Sequence, residues 1–283
     1  MEKIVLKSFW SKYQERYASS KSLLCVGLDP EFSLLPECVR NSVNPIWEFN
    51  RQIIDSTQEY ALAYKPNLAF YLADGMRGLD ALYLTMEHIP EEIPVILDCK
   101  VGDIGNTMQA YVHAFFSNMA VDAITLNPLM GADVMQPMMK QANAFAFALC
   151  LTSNPSARDF LNPLVSGDRR DAYPSSLAAK IASWMQAYPN EKLGAVLGAT
   201  QGSELKNMRS LLPGRILLIP GVGAQGGDLD AVLKDAIDTP EQPNILINSS
   251  RGIIFAGGDK SFATSAANEA KKLADHCRNA LQQ

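Results

Sequence analysis

Asp98, Lys100 and Asp103 stand within six residues of one another in VILDCKVGDIGNT (95–107). They follow Val95, Ile96 and Leu97, an apolar and mostly β-branched run of the kind carried by a strand covered on both faces. Charged side chains are seldom fully buried unless they are paired. One unpaired buried ion costs several kcal/mol, whereas a chain of alternating charges compensates itself. Carboxylates beside an amine also keep it protonated. Asp98 and Lys100 are two apart, so on a strand both project to one face, and Lys65 in ALAYKPN (61–67) supplies a further amine. Asp103 lies past Gly102, where the chain can turn outward. Its carboxylate then either returns to its own site or reaches a partner subunit. The competing account of this cluster is a structural ion-pair network.

Two glycine-rich stretches suggest a phosphate. GVGAQGGD (221–228) and SSRGI (249–253) each follow an apolar run, and Arg251 can make bidentate phosphate contacts. Backbone N–H groups in such turns and at helix N-termini hold phosphoryl oxygens.

The elements that must carry these residues are short apolar runs at 22–29, 61–67, 95–100, 123–128, 145–152, 194–200, 215–221 and 245–250. Each closes on Gly, Pro, Asn, Asp, Ser, Thr or Lys, and amphipathic segments lie between them. Asn44-Pro45 supplies an N-cap and a first-turn proline for one helix. Phe262, Ala266, Ala270, Leu273, Cys277 and Leu281 give the last helix one apolar stripe. Trp10, Tyr13 and Tyr17 mark a leading helix within residues 1–20. Strands alternating with helices, without a linker, imply parallel β/α units. Neither GxGxxG after the first strand nor a Walker A motif is present, which weakens an open nucleotide-binding sheet. The strand count favours an α/β fold of one domain over 1–283, a (β/α)8 TIM barrel with an extra N-terminal helix.

Chemistry in that fold sits at the C-terminal ends of the strands. Those ends carry Asp29, then Lys65 and Asn67, then Asp98 and Lys100, then Asn127-Pro128. Thr152-Ser153-Asn154, Thr200-Gln201, Pro220 with its glycine-rich turn, and Ser249-Ser250-Arg251 complete the circle.

The net charge of −5 and the lack of any lysine- or arginine-rich run argue against a nucleic-acid or membrane surface. Hydrophobic residues at 47% and charged residues at 19% describe a well-packed globule. Five cysteines without metal-type spacing read as reduced thiols. The N-terminus lacks a signal-peptide core, so a cytoplasmic protein is expected. His88, His113 and His276 fall in helical stretches, which leaves no histidine base or metal triad.

At this point the sequence resembles the orotidine 5′-phosphate decarboxylase family. Its central Asp-x-Lys-x-x-Asp-Ile/Val-x-x-Thr motif is met by DCKVGDIGNT (98–107) at every fixed position. GLDP (27–30), KPN (65–67), TSNPSA (152–157), PGVGAQGGD (220–228) and NSSRGI (248–253) follow in order, with wording like the longer branch of the family. The resemblance implies decarboxylation of orotidine 5′-phosphate to UMP without metal or other cofactor, in a homodimer with shared sites. It implies Lys100 as proton donor, Asp29 and Lys65 at the ribose hydroxyls, and Lys65 also on Asp98. Asp103, Ile104 and Thr107 would reach the partner's site. Ser153 would read the pyrimidine edge, and Gln225 would bridge base and phosphate from a closing loop. Arg251 would hold the phosphate, Pro220 would line the pocket, and Asn67 would be a further contact. Ser250 departs from the glycine that many members carry before the arginine, which bears on the phosphate-loop geometry.

The nearest alternative is a Mg²⁺-dependent sugar-phosphate decarboxylase or synthase with the same Asp-x-Lys-x-x-Asp core, in which the carboxylates would be ligands or their anchors. Ile104, Thr107 and the settings of Ser153 and Gln225 favour the pyrimidine enzyme. A Schiff-base aldolase using Lys65 or Lys100, and a non-catalytic phosphate-binding barrel, are the remaining readings.

Overall fold

The computed structural model describes residues 7–165, 175–199, 202–222 and 228–282. Eight parallel strands form one sheet: β1 (Leu24–Leu28), β2 (Ala63–Pro66), β3 (Ile96–Val101), β4 (Ala123–Leu126), β5 (Phe145–Leu151), β6 (Leu193–Leu197), β7 (Leu217–Pro220) and β8 (Ile245–Ser249). Their spatial order is β2-β1-β8-β7-β6-β5-β4-β3. Bridges Tyr64–Val95 and Asn67–Asp98 join the two ends of that order, so the sheet comes round on itself as the expected barrel. Strands β1, β2, β4 and β6 are buried at every position, as strands are when helices cover one side and the barrel interior the other; Lys65 in β2 and Thr125 in β4 are the polar side chains buried within them. A two-stranded antiparallel pair, Leu164–Val165 with Ser175–Ser176, lies in the connection after β5.

Among the described residues the main helices are α1 (Phe9–Ser20), α2 (Pro45–Thr57), α3 (Gly75–His88), α4 (Gly105–Val112), α5 (Met135–Lys140), α6 (Leu177–Met185), α7 (Ser203–Leu211), α8 (Leu229–Ala236) and α9 (Phe262–Ala280). The Asn44 side chain accepts from the Trp47 amide with Pro45 in the first turn, as its sequence predicts. The buried stripe of α9 is Phe262, Ala266, Ala270, Ala274 and Cys277, with Leu273 only partly covered.

The leading helix is shorter than 1–20. It starts at Phe9, with the Ser8 hydroxyl accepting from the Ser11 amide. Its buried face is Phe9, Tyr13 and Tyr17, and Trp10 packs at the margin. The (i, i+4, i+8) set wins because it meets the barrel end. The Phe9 ring lies tilted 4.7 Å from that of Phe145 and edge to face 5.3 Å from that of Phe147, at the start of β5. The Tyr13 hydroxyl accepts from the Ile245 amide (3.1 Å) and donates to the Ile245 carbonyl (3.2 Å) at the start of β8. Lys12 pairs with Asp122 at 2.8 Å, and Asp122 also accepts from the Val95 amide. Helix α1 thus stoppers the N-terminal end of the barrel, and the strand C-termini remain for a site.

Candidate functional site

At those C-termini lies a cavity of about 290 Å³, lined by Asp29, Lys65, Asn67, Asp98, Lys100, Thr125, Leu149, Thr152, Ser153, Asn154, Val196, Leu218, Pro220 and Asn248. A larger groove of about 880 Å³ runs between α8 and α9 on the outer surface and contains no strand residue. The strand-end cavity is the one that gathers the candidate residues.

Asp98 is its electrostatic centre. Lys65 Nζ donates to Oδ2 at 2.8 Å, and Lys100 Nζ donates to Oδ1 at 2.6 Å. The Thr125 hydroxyl donates to Oδ1 at 2.8 Å. Burial alone would raise the Asp98 pKa, but the Lys65 and Lys100 charges overcome it and hold the carboxyl well below its usual range. For Lys65, burial works to lower the pKa, while Asp98 and Asp29 raise it to a net value above the ordinary one. Both partners are therefore charged, as a close buried pair must be. The side chain of Lys65 is 5% exposed and that of Lys100 is 51% exposed. One ammonium is locked in the wall, and the other reaches the open part of the cavity. Burial pushes the neighbouring Cys25 thiol up to about 12, so it stays neutral.

The shared face of Asp98 and Lys100 arises differently from simple strand alternation. Leu97 pairs with Ile124, and Val101 pairs with Leu126. The chain takes four steps on β3 against two on β4, so residues 98–100 bulge opposite Thr125. Lys100 sits at φ +48°, the left-handed region that a long L side chain avoids at a cost of about 1–2 kcal/mol. Such local strain concentrates at functional sites. The bulge turns Lys100 back so that its ammonium meets Asp98.

The other described candidates divide into three groups. Asp29, Asn67, Ser153 and Pro220 line the cavity. One carboxylate oxygen of Asp29 is buried without a hydrogen-bond partner, a group set for a ligand to satisfy. Asn67 caps the short helix Leu68–Leu72, accepting from the Ala69 amide. Asp103, Ile104 and Thr107 stand outside the cavity. Asp103 Oδ1 accepts from the Ile104 amide at 2.7 Å, Ile104 is 52% exposed, and Thr107 is exposed on α4. Ser250 and Arg251 follow β8 just beyond the lining, with Arg251 exposed at the start of a short helix, Arg251–Ile254. Gln225, like Thr200 and Gln201, lies outside the described residues.

The serine at 250 is accommodated by Gly27. A Cβ on Gly27 would fall 2.6 Å from Ser250 Cβ, so the bare backbone of β1 leaves room for the extra side chain. The Ser250 hydroxyl is buried without a partner.

Two polar lining residues escaped the sequence reading, Thr125 and Asn248. Asn248 Oδ1 is buried and unpartnered. The available signal was a polar residue inside an otherwise apolar strand, AITL and ILIN. Among the described residues, no group of three or more His, Cys, Asp or Glu is arranged to hold a metal ion. No helix among them is long and apolar enough to cross a membrane.

Residues 22–266 match the model of the orotidine 5′-phosphate decarboxylase / HUMPS family. The orotidine 5′-phosphate decarboxylase of Leptospira interrogans is 42% identical over 269 residues, covering 94% of each chain. That of Herpetosiphon aurantiacus is 41% identical over 263 residues, covering 93% of this chain and 95% of the relative. The structure of Leishmania donovani OMP decarboxylase superposes with a TM-score of 0.81 at 33% identity, over 98% of this chain and 99% of that one.

Proposed function

The chain belongs to the orotidine 5′-phosphate decarboxylase / HUMPS family, and from that premise we propose that it converts orotidine 5′-phosphate to UMP, with Lys100 delivering the proton to C6. The family spans two chemistries, and relatives near 40% identity named as the decarboxylase narrow the choice to pyrimidine biosynthesis. The observation that carries the mechanism is Asp98 bridging Lys65 and Lys100 while Lys100 alone of the two cations is half exposed to the cavity.

Loss of CO2 from C6 leaves a carbanion that no adjacent π-system delocalises. The site must therefore present fixed positive charge and a proton at that carbon. The Lys100 ammonium does both, held protonated by Asp98. At an effective dielectric of about 20, unit charges about 4 Å apart interact by ~4 kcal/mol, roughly a thousandfold in rate. One lysine is essential and insufficient. Binding of the remote phosphate and exclusion of water supply the remainder. Preorganisation of Lys100 is the main effect, ahead of carboxylate repulsion in the ground state.

In this reading Asp29 and Lys65 hold the ribose, Ser153 and Pro220 border the pyrimidine, and Arg251 with Gln225 takes the phosphate beside Ser250. Asn67 is a further contact. Asp103, Ile104 and Thr107 complete the site of a partner subunit in a homodimer; their position outside their own cavity and the exposed apolar Ile104 support that arrangement. The reaction is proposed to need no metal, and the protein to work in the cytoplasm.

Spectrophotometric loss of orotidine 5′-phosphate by the purified protein in EDTA tests the proposal. Turnover unaffected by the chelator is expected. Absence of turnover, or its restoration only by Mg²⁺, would overturn it.

A further inference from the structure

Three consecutive residues of β3 bulge opposite one residue of β4, and that residue touches all three. Thr125 Oγ1 accepts from the Lys100 amide at 2.9 Å and donates to Asp98 Oδ1 at 2.8 Å. Between them, Cys99 Sγ lies 3.6 Å from the Thr125 carbonyl oxygen. We propose that Thr125 is a positioning residue for the proton transfer, a clamp whose hydroxyl fixes the left-handed backbone of Lys100 and the orientation of its counter-ion together. The proposal rests on the assignment of Lys100 as proton donor.

The direction of both hydrogen bonds follows from the chemistry of the groups. A backbone N–H only donates, so the hydroxyl oxygen accepts from Lys100. An ionised carboxylate only accepts, so the single hydroxyl proton goes to Asp98. A hydroxyl is the smallest side-chain group that serves both at once. The β-branch restricts χ1, and the residue is 2% exposed, so the hydroxyl has little freedom to leave.

The bulge explains why a hydroxyl is needed there. In a regular β3, alternation from Val95, whose carbonyl accepts from the Ala123 amide of β4, would turn the Lys100 amide toward β2. With two extra residues in β3, that amide is displaced from the ladder, and a buried N–H without an acceptor is costly. Thr125 supplies the acceptor at the position where Lys100 holds φ +48°. The same atom then orients the Asp98 oxygen that receives the Lys100 ammonium at 2.6 Å. Backbone and side chain of Lys100 are thereby tied to one point on β4. Displacement of a reacting group by about 1 Å costs on the order of 10²-fold in rate.

Thr125→Val keeps the shape and removes the hydroxyl; Thr125→Ser keeps the hydroxyl. Both are to be compared with wild type and Lys100→Ala for kcat, KM, UMP affinity and thermal stability. For Thr125→Val, kcat is expected to fall about 10²-fold with KM and UMP affinity little changed, and Thr125→Ser should recover most of the loss. A Thr125→Val kcat close to wild type, a Thr125→Ser variant no better than Thr125→Val, or a parallel loss of kcat and UMP affinity would overturn the clamp. A ligand-free crystal structure of Thr125→Val tests the clamp independently of the reaction. Movement of Lys100 out of the left-handed region or loss of its Asp98 contact supports the proposal, and an unchanged bulge refutes it. A fully active Lys100→Ala protein would instead refute the assignment of the proton donor.

Discussion

Replacing Asp98 with asparagine removes one negative charge and almost no volume. In the wild type its carboxylate lies 2.8 Å from the Lys65 ammonium and 2.6 Å from that of Lys100. At an effective dielectric of about 20, each contact is worth about 6 kcal/mol before the cost of burial. Solvent screens the half-exposed Lys100 and reduces its share. Lys65, 5% exposed at its side chain, keeps its charge and loses its nearest anion. Breaking a buried pair by removing one partner costs about 3–5 kcal/mol. With an unfolding entropy of about 2.1 cal/mol/K per residue over 283 residues, that is a drop of about 5–8 °C in Tm. The substituted amide offers one carbonyl oxygen where two ammoniums and a hydroxyl compete, so Lys100 leaves its position and kcat falls on the order of 10²-fold or more. Scanning calorimetry and the decarboxylation assay on Asp98→Asn read both effects. A Tm within about 2 °C of wild type together with undiminished kcat would refute the idea that Asp98 organises the two lysines.

The pH dependence of that stabilisation has a definite sign. The depressed Asp98 group contributes stability that is present above the unfolded pKa of about 3.9 and is lost as pH falls towards its folded value. The raised Lys65 group contributes stability that is present below about 10.4 and is lost as pH rises through its folded value. The stability gap between wild type and Asp98→Asn should therefore be flat from about pH 5 to about pH 9 and shrink below about pH 4, measured by thermal unfolding in a buffer series. Gly27→Ala drives a Cβ to 2.6 Å from Ser250 Cβ, at an overpacking cost of about 1–3 kcal/mol, and should raise KM by shifting the turn before Arg251. Adding Ser250→Gly should restore KM, and failure to do so would show that the two positions are uncoupled. Tyr13→Phe strands the Ile245 amide under α1 and should cost about 1–3 kcal/mol, about 2–5 °C in Tm, with kcat unchanged because the contact is at the opposite end of the barrel.

The barrel was legible because each strand is a short apolar run stopped by turn or polar residues, and eight such runs between amphipathic segments leave few closures. Lys65, Asp98 and Lys100 were legible because charge at the end of a buried strand needs a partner. Thr125 was hidden by its shape: within AITL it looks like another β-branched strand residue, and only the partner strand's bulge shows what its hydroxyl does. That bulge was itself invisible, since alternation along DCK reaches the correct face for Lys100 by a regular path that the backbone does not take. Asn248 was passed over in favour of the serines and arginine after it, although its oxygen is left unpartnered at the cavity wall. The match of Gly27 to Ser250 joins residues far apart in the chain and neighbouring across β1 and β8. The leading helix, expected over 1–20, runs from Phe9 to Ser20, and its face was misread by one residue, because Trp10 and Phe9 are equally apolar until the barrel end selects between them.

The central claim is that a single ammonium supplies both charge and proton to the pyrimidine carbon. Lys100→Ala, assayed for orotidine 5′-phosphate turnover alongside UMP binding, tests it most directly. Turnover should fall by about a thousandfold or more while UMP still binds, and a variant that decarboxylates at the wild-type rate would contradict the account.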